Sequence, residues 1–211
     1  IDEGLVGSEM CIRDSSGQAS NYSIASATSN ITQRPLNLSG SRAYDSTRTA
    51  SGSDLSFTNI VSGETLGLTG SGVLDSPAAG SRTIVNTNTL AISDGSGIAT
   101  NYTLTNGTLT MTIVPRSTTV SGTKTYDGTT NVASSNLTSF SNLAGSDTLS
   151  LSGTGTISTA DVGTGKTVNT SGLTIDNSSG VGSNYTLSAA TVNVTERVIG
   201  LSGVRAFDGT N

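Results

Sequence analysis

The aromatic side chains, five Tyr and three Phe with no Trp, fall on only three recurring positions, and that recurrence limits the fold more than any other feature. Tyr22, Tyr102 and Tyr185 each follow an Asn, with steps of 80 and 83 residues. Tyr44, Tyr126 and Phe207 each precede an Asp, with steps of 82 and 81, and Phe57 and Phe140 lie 83 apart. Arg34, Arg116 and Arg197 step by 82 and 81. Four kinds of landmark share one period of about 82 residues, the mark of copies of one module in tandem. A chain that spends its large side chains on a repeated framework shows little sign of a unique active site.

The period divides the chain into complete repeats at residues 35–116 and 117–197, with the remnant of a preceding repeat at 15–34 and the start of a following one at 198–211. On this reading the chain is cut from a longer array. The stretch FTNIVSGETLGLTGSG from Phe57 matches FSNLAGSDTLSLSGTG from Phe140 without a gap. Residues 1–14 stand apart: they hold the single Cys and four of the fifteen acids. They lack the features of a signal peptide. Their string GLVGSEMCIRD resembles a translated sequencing-adapter artefact, and they are expected to contribute no structure. Without them the chain has no thiol, which fits a secreted protein.

Within each repeat, Leu109, Met111 and Ile113 alternate with Thr108, Thr110 and Thr112, which puts apolar groups on one face of a strand. Shorter alternations recur at residues 65–68, 89–92, 101–104, 148–151, 184–187 and 191–194. Gly, Asn, Asp and Ser clusters such as residues 93–97 and 176–180 supply the turns. No stretch carries a sustained helical stripe. The expectation is all-β: tandem small β-sandwich-like or β-grasp-like repeat domains of about 82 residues, six or seven short strands each.

The most repeated local pattern is basic, any, aromatic, Asp, small: Arg42, Tyr44, Asp45 and Ser46; Lys124, Tyr126, Asp127 and Gly128; Arg205, Phe207, Asp208 and Gly209. On a strand the basic and aromatic side chains share a face, and the Asp can accept backbone N–H groups as the chain turns. The basic residue is expected to lie over the ring or pair with an acid. The three rings are expected to be core anchors, since Phe207 dispenses with the hydroxyl. The KTYDGTTNV stretch from Lys124, preceded by Pro115-Arg116 and repeated at about 80 residues, resembles the YDG-type repeat of large bacterial surface adhesins, including filamentous-haemagglutinin-like exoproteins. That resemblance implies a secreted or cell-surface bacterial setting. It also implies neighbouring repeats as partners, with a host or matrix surface met by other parts of the full protein. Ser46 and Phe207 depart from the strict Tyr-Asp-Gly triplet.

Little chemistry competes with that reading. There is no His, so the usual general base and the commonest transition-metal ligand are missing. Residues 160–167, ADVGTGKT, nearly fit a phosphate-binding loop, but that loop must open a helix, and Val168 to Gly172 read as strand or turn. Calcium is the better candidate ligand, because Asp- and Asn-rich turns offer hard oxygens, yet no EF-hand or tandem nonapeptide occurs. A Lys–Asn crosslink common to the repeats fails because Lys124 is replaced by Arg42 and Arg205. With 10 basic against 15 acidic residues, a nucleic-acid backbone is not the expected partner, and no apolar run reaches a membrane span. The expected function is a non-enzymatic stalk without catalytic residues or required cofactor. The alternative is a glycan- or matrix-binding module carried by the repeats themselves, with calcium as the stiffening ligand. A parallel β-solenoid would need shorter repeats.

Overall fold

The computed structural model describes Ser23, Ser26 and residues 28–209. Residues 1–14, Tyr22 and most of the remnant at 15–34 lie outside them. The chain divides into two units, residues 1–33 and 34–211, and every strand among the described residues belongs to the second.

The second repeat shows the architecture most simply. Its seven strands form one sheet in the order Leu137–Ser141, Arg116–Thr125, Tyr185–Thr195, Gly163–Val168 and another in the order Asn131–Ala133, Leu149–Thr156, Leu173–Asn177. Alternation decides which face is buried: Ala190, Val192 and Val194 lie inside, while Asn193 and Thr195 face water. Val120, Leu137, Val168 and Val192 of the first sheet meet Val132, Leu151 and Leu173 of the second in one apolar cluster. Two sheets closing on a shared core make a sandwich. A β-grasp would lay a helix across the sheet. The described residues hold only three-residue 3-10 turns, such as Ser134–Asn136 and Gly182–Asn184.

The first repeat follows the same course with three interruptions, the first of which splits its counterpart of Arg116–Thr125 into Arg34–Pro35 and Leu38–Ala43. Its counterpart of Leu149–Thr156 is split into Leu66–Thr69 and Ser71–Leu74, and its counterpart of Tyr185–Thr195 into Tyr102–Thr103 and Thr110–Val114. Ser71–Leu74 also pairs with Gly80–Asn86, joining strands of both layers into one six-stranded sheet. In each repeat the first and last strands lie side by side and parallel. Arg116 pairs with Tyr185 and Thr125 with Thr195, and Ser41–Ala43 pairs with Thr112–Val114.

Gly40 and Gly122 occupy equivalent places on the two first strands, against the neighbouring 3-10 turn. An added Cβ would sit 1.9 Å from the Asp54 carbonyl oxygen and 1.7 Å from that of Asn136. Only glycine lets the backbones approach so closely. The core of the first repeat, built on Leu38, Leu74, Met111 and Ile113, takes in Ala144 and Tyr185 of the second.

Candidate functional site

The repeated motif closes the first strand of each repeat with a tight charged turn. Arg42 ion-pairs with Asp45 and donates from Nη2 to the Thr47 carbonyl at 2.8 Å. Lys124 pairs with Asp127 at 2.9 Å and donates to the Thr129 carbonyl at 2.9 Å and to the Asn131 carbonyl. Asp45 and Asp127 in turn accept the N–H groups of Thr47 and Thr129 at 2.8 and 2.9 Å. The third copy pairs Arg205 with Asp208. The basic side chain thus takes the acid rather than the ring.

Electrostatics follow from this geometry. The Lys124 ammonium and the Thr129 N–H hold the Asp127 carboxyl down to about 2. For Asp45, burial pushes the pKa up, but the Thr47 N–H and hydroxyl and the Arg42 guanidinium outweigh it, so its carboxyl titrates below the usual range. Each turn needs a left-handed residue after the Asp: Gly128 at φ 77°, Gly209 at φ 82°, and Ser46 at φ 66°. A serine in that region carries steric strain that glycine avoids.

The expectation that all three rings are core anchors holds only for Tyr44, which is 5% exposed. Tyr126 is 40% exposed and Phe207 94%. Both first strands stop before the aromatic, at Ala43 and Thr125, so the ring no longer shares the strand's inner face with the basic residue. In the second repeat it is Lys124 that points inward, 4% exposed, with its ammonium fully engaged by the turn. Tyr44 is covered in part by the other repeat, through Tyr185 and Asp147.

That burial forms a joint. Tyr44 meets Tyr185 edge-to-face, ring centres 5.4 Å apart and planes at 76°. Both hydroxyls donate to the same Asp147 oxygen, from Tyr44 at 3.1 Å and from Tyr185 at 2.6 Å. The Ala144 N–H donates to the Tyr185 hydroxyl at 3.1 Å, and the Ala79 N–H to Asn184 Oδ1 at 2.8 Å. Arg116 reaches back to the Tyr44 carbonyl at 3.3 Å while bonding the Asn142 carbonyl at 2.8 Å. Burial first, and then the Asp147 carboxylate, push the Tyr185 phenol up to about 12 and raise Tyr44 as well. Among the described residues no buried side-chain N or O lacks a partner. Such a joint holds two domains in register, and it offers no nucleophile–base pair.

Asp147 is the joint side chain that the sequence landmarks do not include, whereas Asn184 is the Asn of the repeated Asn-Tyr pair. The available signal was the recurrence of an acid at Glu64 and Asp147 inside the matched stretches. Tyr102 donates to Glu64 as Tyr185 does to Asp147.

The remaining sequence candidates fall elsewhere. Gly163–Val168 is a strand, and Lys166 Nζ bonds the Thr159 and Asp161 carbonyls at 2.7 and 2.6 Å. The residues resembling a phosphate loop therefore open no helix. No group of three or more His, Cys, Asp or Glu that could hold a metal occurs among the described residues. No helix among them is long and apolar enough to cross a membrane. Shallow apolar grooves recur at equivalent places, beside Leu55, Phe57 and Leu68 in the first repeat and beside Leu137, Phe140 and Leu151 in the second.

Two successive spans of the chain, residues 29–111 and 108–192, each match the YDG domain. No curated protein and no solved structure matches the chain.

Proposed function

The chain belongs to the YDG domain family, and from that premise we propose that its repeats are the non-enzymatic stalk of a secreted bacterial surface adhesin. The observation that carries this reading is where the motif residues go. Arg42, Asp45, Lys124 and Asp127 close turns, and Tyr44 locks one repeat to the next. Residues committed to turns and joints hold modules in line. The extracellular bacterial setting rests on the resemblance to filamentous-haemagglutinin-like exoproteins, and the cysteine-free repeats fit it. Neighbouring repeats are the immediate partners, and contact with a host or matrix surface falls to other parts of the full protein.

A domain of about 82 residues has a width of roughly 30 Å. Small-angle scattering should therefore give a longest dimension of roughly 60 to 80 Å for two repeats in line. Glycan-array and nucleotide titrations should show no saturable binding. A side-by-side profile, or a micromolar ligand lost on changing one exposed loop, overturns the stalk reading.

The repeated groove beside Phe57 and Phe140 favours one second reading, a glycan-binding module, since a sugar's apolar face stacks on a ring. Phe140→Ser would then abolish glycan capture, with circular dichroism checking that the fold survives loss of a ring that packs against the core. Calcium stiffening would appear as a rise in Tm on adding the ion, through preferential binding to the folded state.

A further inference from the structure

We propose that the face carrying Tyr126 is the donor half of a second joint, and that its partner is the end of another YDG repeat that bears the Asn-Tyr pair and its acid. The inference deepens the stalk reading by naming what each repeat docks on, and it rests on repeats meeting end to end.

The donor halves are built alike. The Tyr44 N–H donates to the Val114 carbonyl at 2.9 Å and the Tyr126 N–H to the Thr195 carbonyl at 2.8 Å, so each aromatic leaves the sheet at the end of the same parallel strand pair. Behind each ring sits the same turn, with a basic side chain on the acid and on a Thr carbonyl. What differs is the cover. Tyr44 is enclosed by Tyr185 and Asp147, whereas Tyr126 has no ring neighbour and no hydroxyl partner among the described residues.

The acceptor halves also repeat. Arg34 Nε donates to the Asn59 carbonyl at 3.0 Å, and Arg116 Nε to that of Asn142 at 2.8 Å. The same asparagines return a bond from Nδ2, to the Pro35 carbonyl at 3.0 Å and the Ser117 carbonyl at 2.7 Å. Tyr102 donates to Glu64 as Tyr185 donates to Asp147. The second repeat's acceptor end encloses Tyr44, the first repeat carries the same arrangement of residues, and that chemistry suits Tyr126. A phenol at the donor end, a second phenol and a shared carboxylate at the other, and an edge-to-face ring contact define the match.

The test adds one repeat to the full chain. A second copy of residues 117–197, carrying Tyr126→Phe so that only the original ring is read, is inserted after Arg197, which stands where Arg116 stands before the original. A parallel chain receives residues 35–116 with Tyr44→Phe at the same place, so that both acceptor ends are tried. Tyrosine nitration mapped by mass spectrometry reads the cover on each ring. In the chain as it stands, Tyr126 should react several-fold faster than Tyr44. In both extended chains it should fall to the rate of Tyr44. Asp147→Ala with Tyr185→Ala in the added copy of 117–197, or Glu64→Ala with Tyr102→Ala in the added copy of 35–116, should restore fast reaction, while the original Tyr44 stays slow throughout and reports that the existing joint is intact. Tyr126 reacting equally fast with and without either added repeat overturns the proposal, as does protection that survives the two substitutions. Failure here would leave a stalk with free joints, whereas failure of the stalk reading shows as saturable ligand binding, which nitration does not register.

Discussion

Tyr44→Ala and Tyr126→Ala change the same motif residue in the two repeats, and the structure predicts different costs. An enclosed tyrosine removes about 200 Å² from water, and the rings are 5% and 40% exposed. Tyr44 therefore hides about 70 Å² more, worth about 2 kcal/mol at about 25 to 30 cal/mol per Å². Its edge-to-face contact with Tyr185 adds about 1 kcal/mol, and its hydrogen bond to the Asp147 carboxylate about 1.5 kcal/mol. Relaxation around the gap returns part of this. Tyr44→Ala should cost about 4 to 5 kcal/mol, at the upper end for buried aromatic truncations, and Tyr126→Ala, whose ring still hides about 120 Å², about 2 kcal/mol. Urea unfolding followed by far-ultraviolet circular dichroism gives both values. Hydrogen exchange at the Ala144 amide, which donates to the Tyr185 hydroxyl, adds a local readout. It should accelerate in Tyr44→Ala and stay unchanged in Tyr126→Ala. Costs equal within about 0.5 kcal/mol, or an Ala144 amide equally protected in both variants, would refute the claim that the joint buries Tyr44.

The Tyr185 phenol titrates near 12 in the folded chain against 10.0 for a free tyrosine, so its contribution is complete below pH 10 and is lost as pH rises towards 12. Alkaline titration of stability should show a fall to which Tyr185 contributes about 2 to 3 kcal/mol, and Tyr185→Phe should remove that part while leaving the contribution of Tyr44. Asp127, held near 2 against 3.8 for a free aspartate, stabilises above the higher value and loses that contribution as pH falls through the lower one. Carboxyl NMR should place its midpoint near 2, and Lys124→Met should move it up. Gly122→Ala drives a Cβ into the Asn136 carbonyl and should cost about 3 kcal/mol or more, measured by Tm. Ser46→Gly relieves a left-handed serine and should gain about 1 kcal/mol in the same assay.

The framework was legible because it is written locally. The alternation from Leu109 to Ile113 became a strand with Leu109, Met111 and Ile113 inside, and the spacing of Lys124 and Asp127 became an ion pair. The joint was harder to see for two reasons. Asp147 sits in a Gly- and Ser-rich loop, where an acid reads as a solvated turn former, and only the tertiary fold brings it to Tyr44, 103 residues away. The period also repeats the aromatic without saying which copy is covered. Tyr44 and Tyr126 read alike, yet one is enclosed by a neighbouring repeat and the other is not.

The parallel pairing of first and last strands has a mechanical consequence. The chain enters the second repeat at Arg116 and leaves past Thr195, at opposite ends of the same ladder. Tension along the chain therefore loads the rungs from Arg116 to Thr125 sideways and together. A hairpin drawn open from its free end surrenders one bond at a time, but this ladder has no free end from which to peel. A tether made of such repeats keeps its length as load rises, then lengthens in steps, one repeat per step.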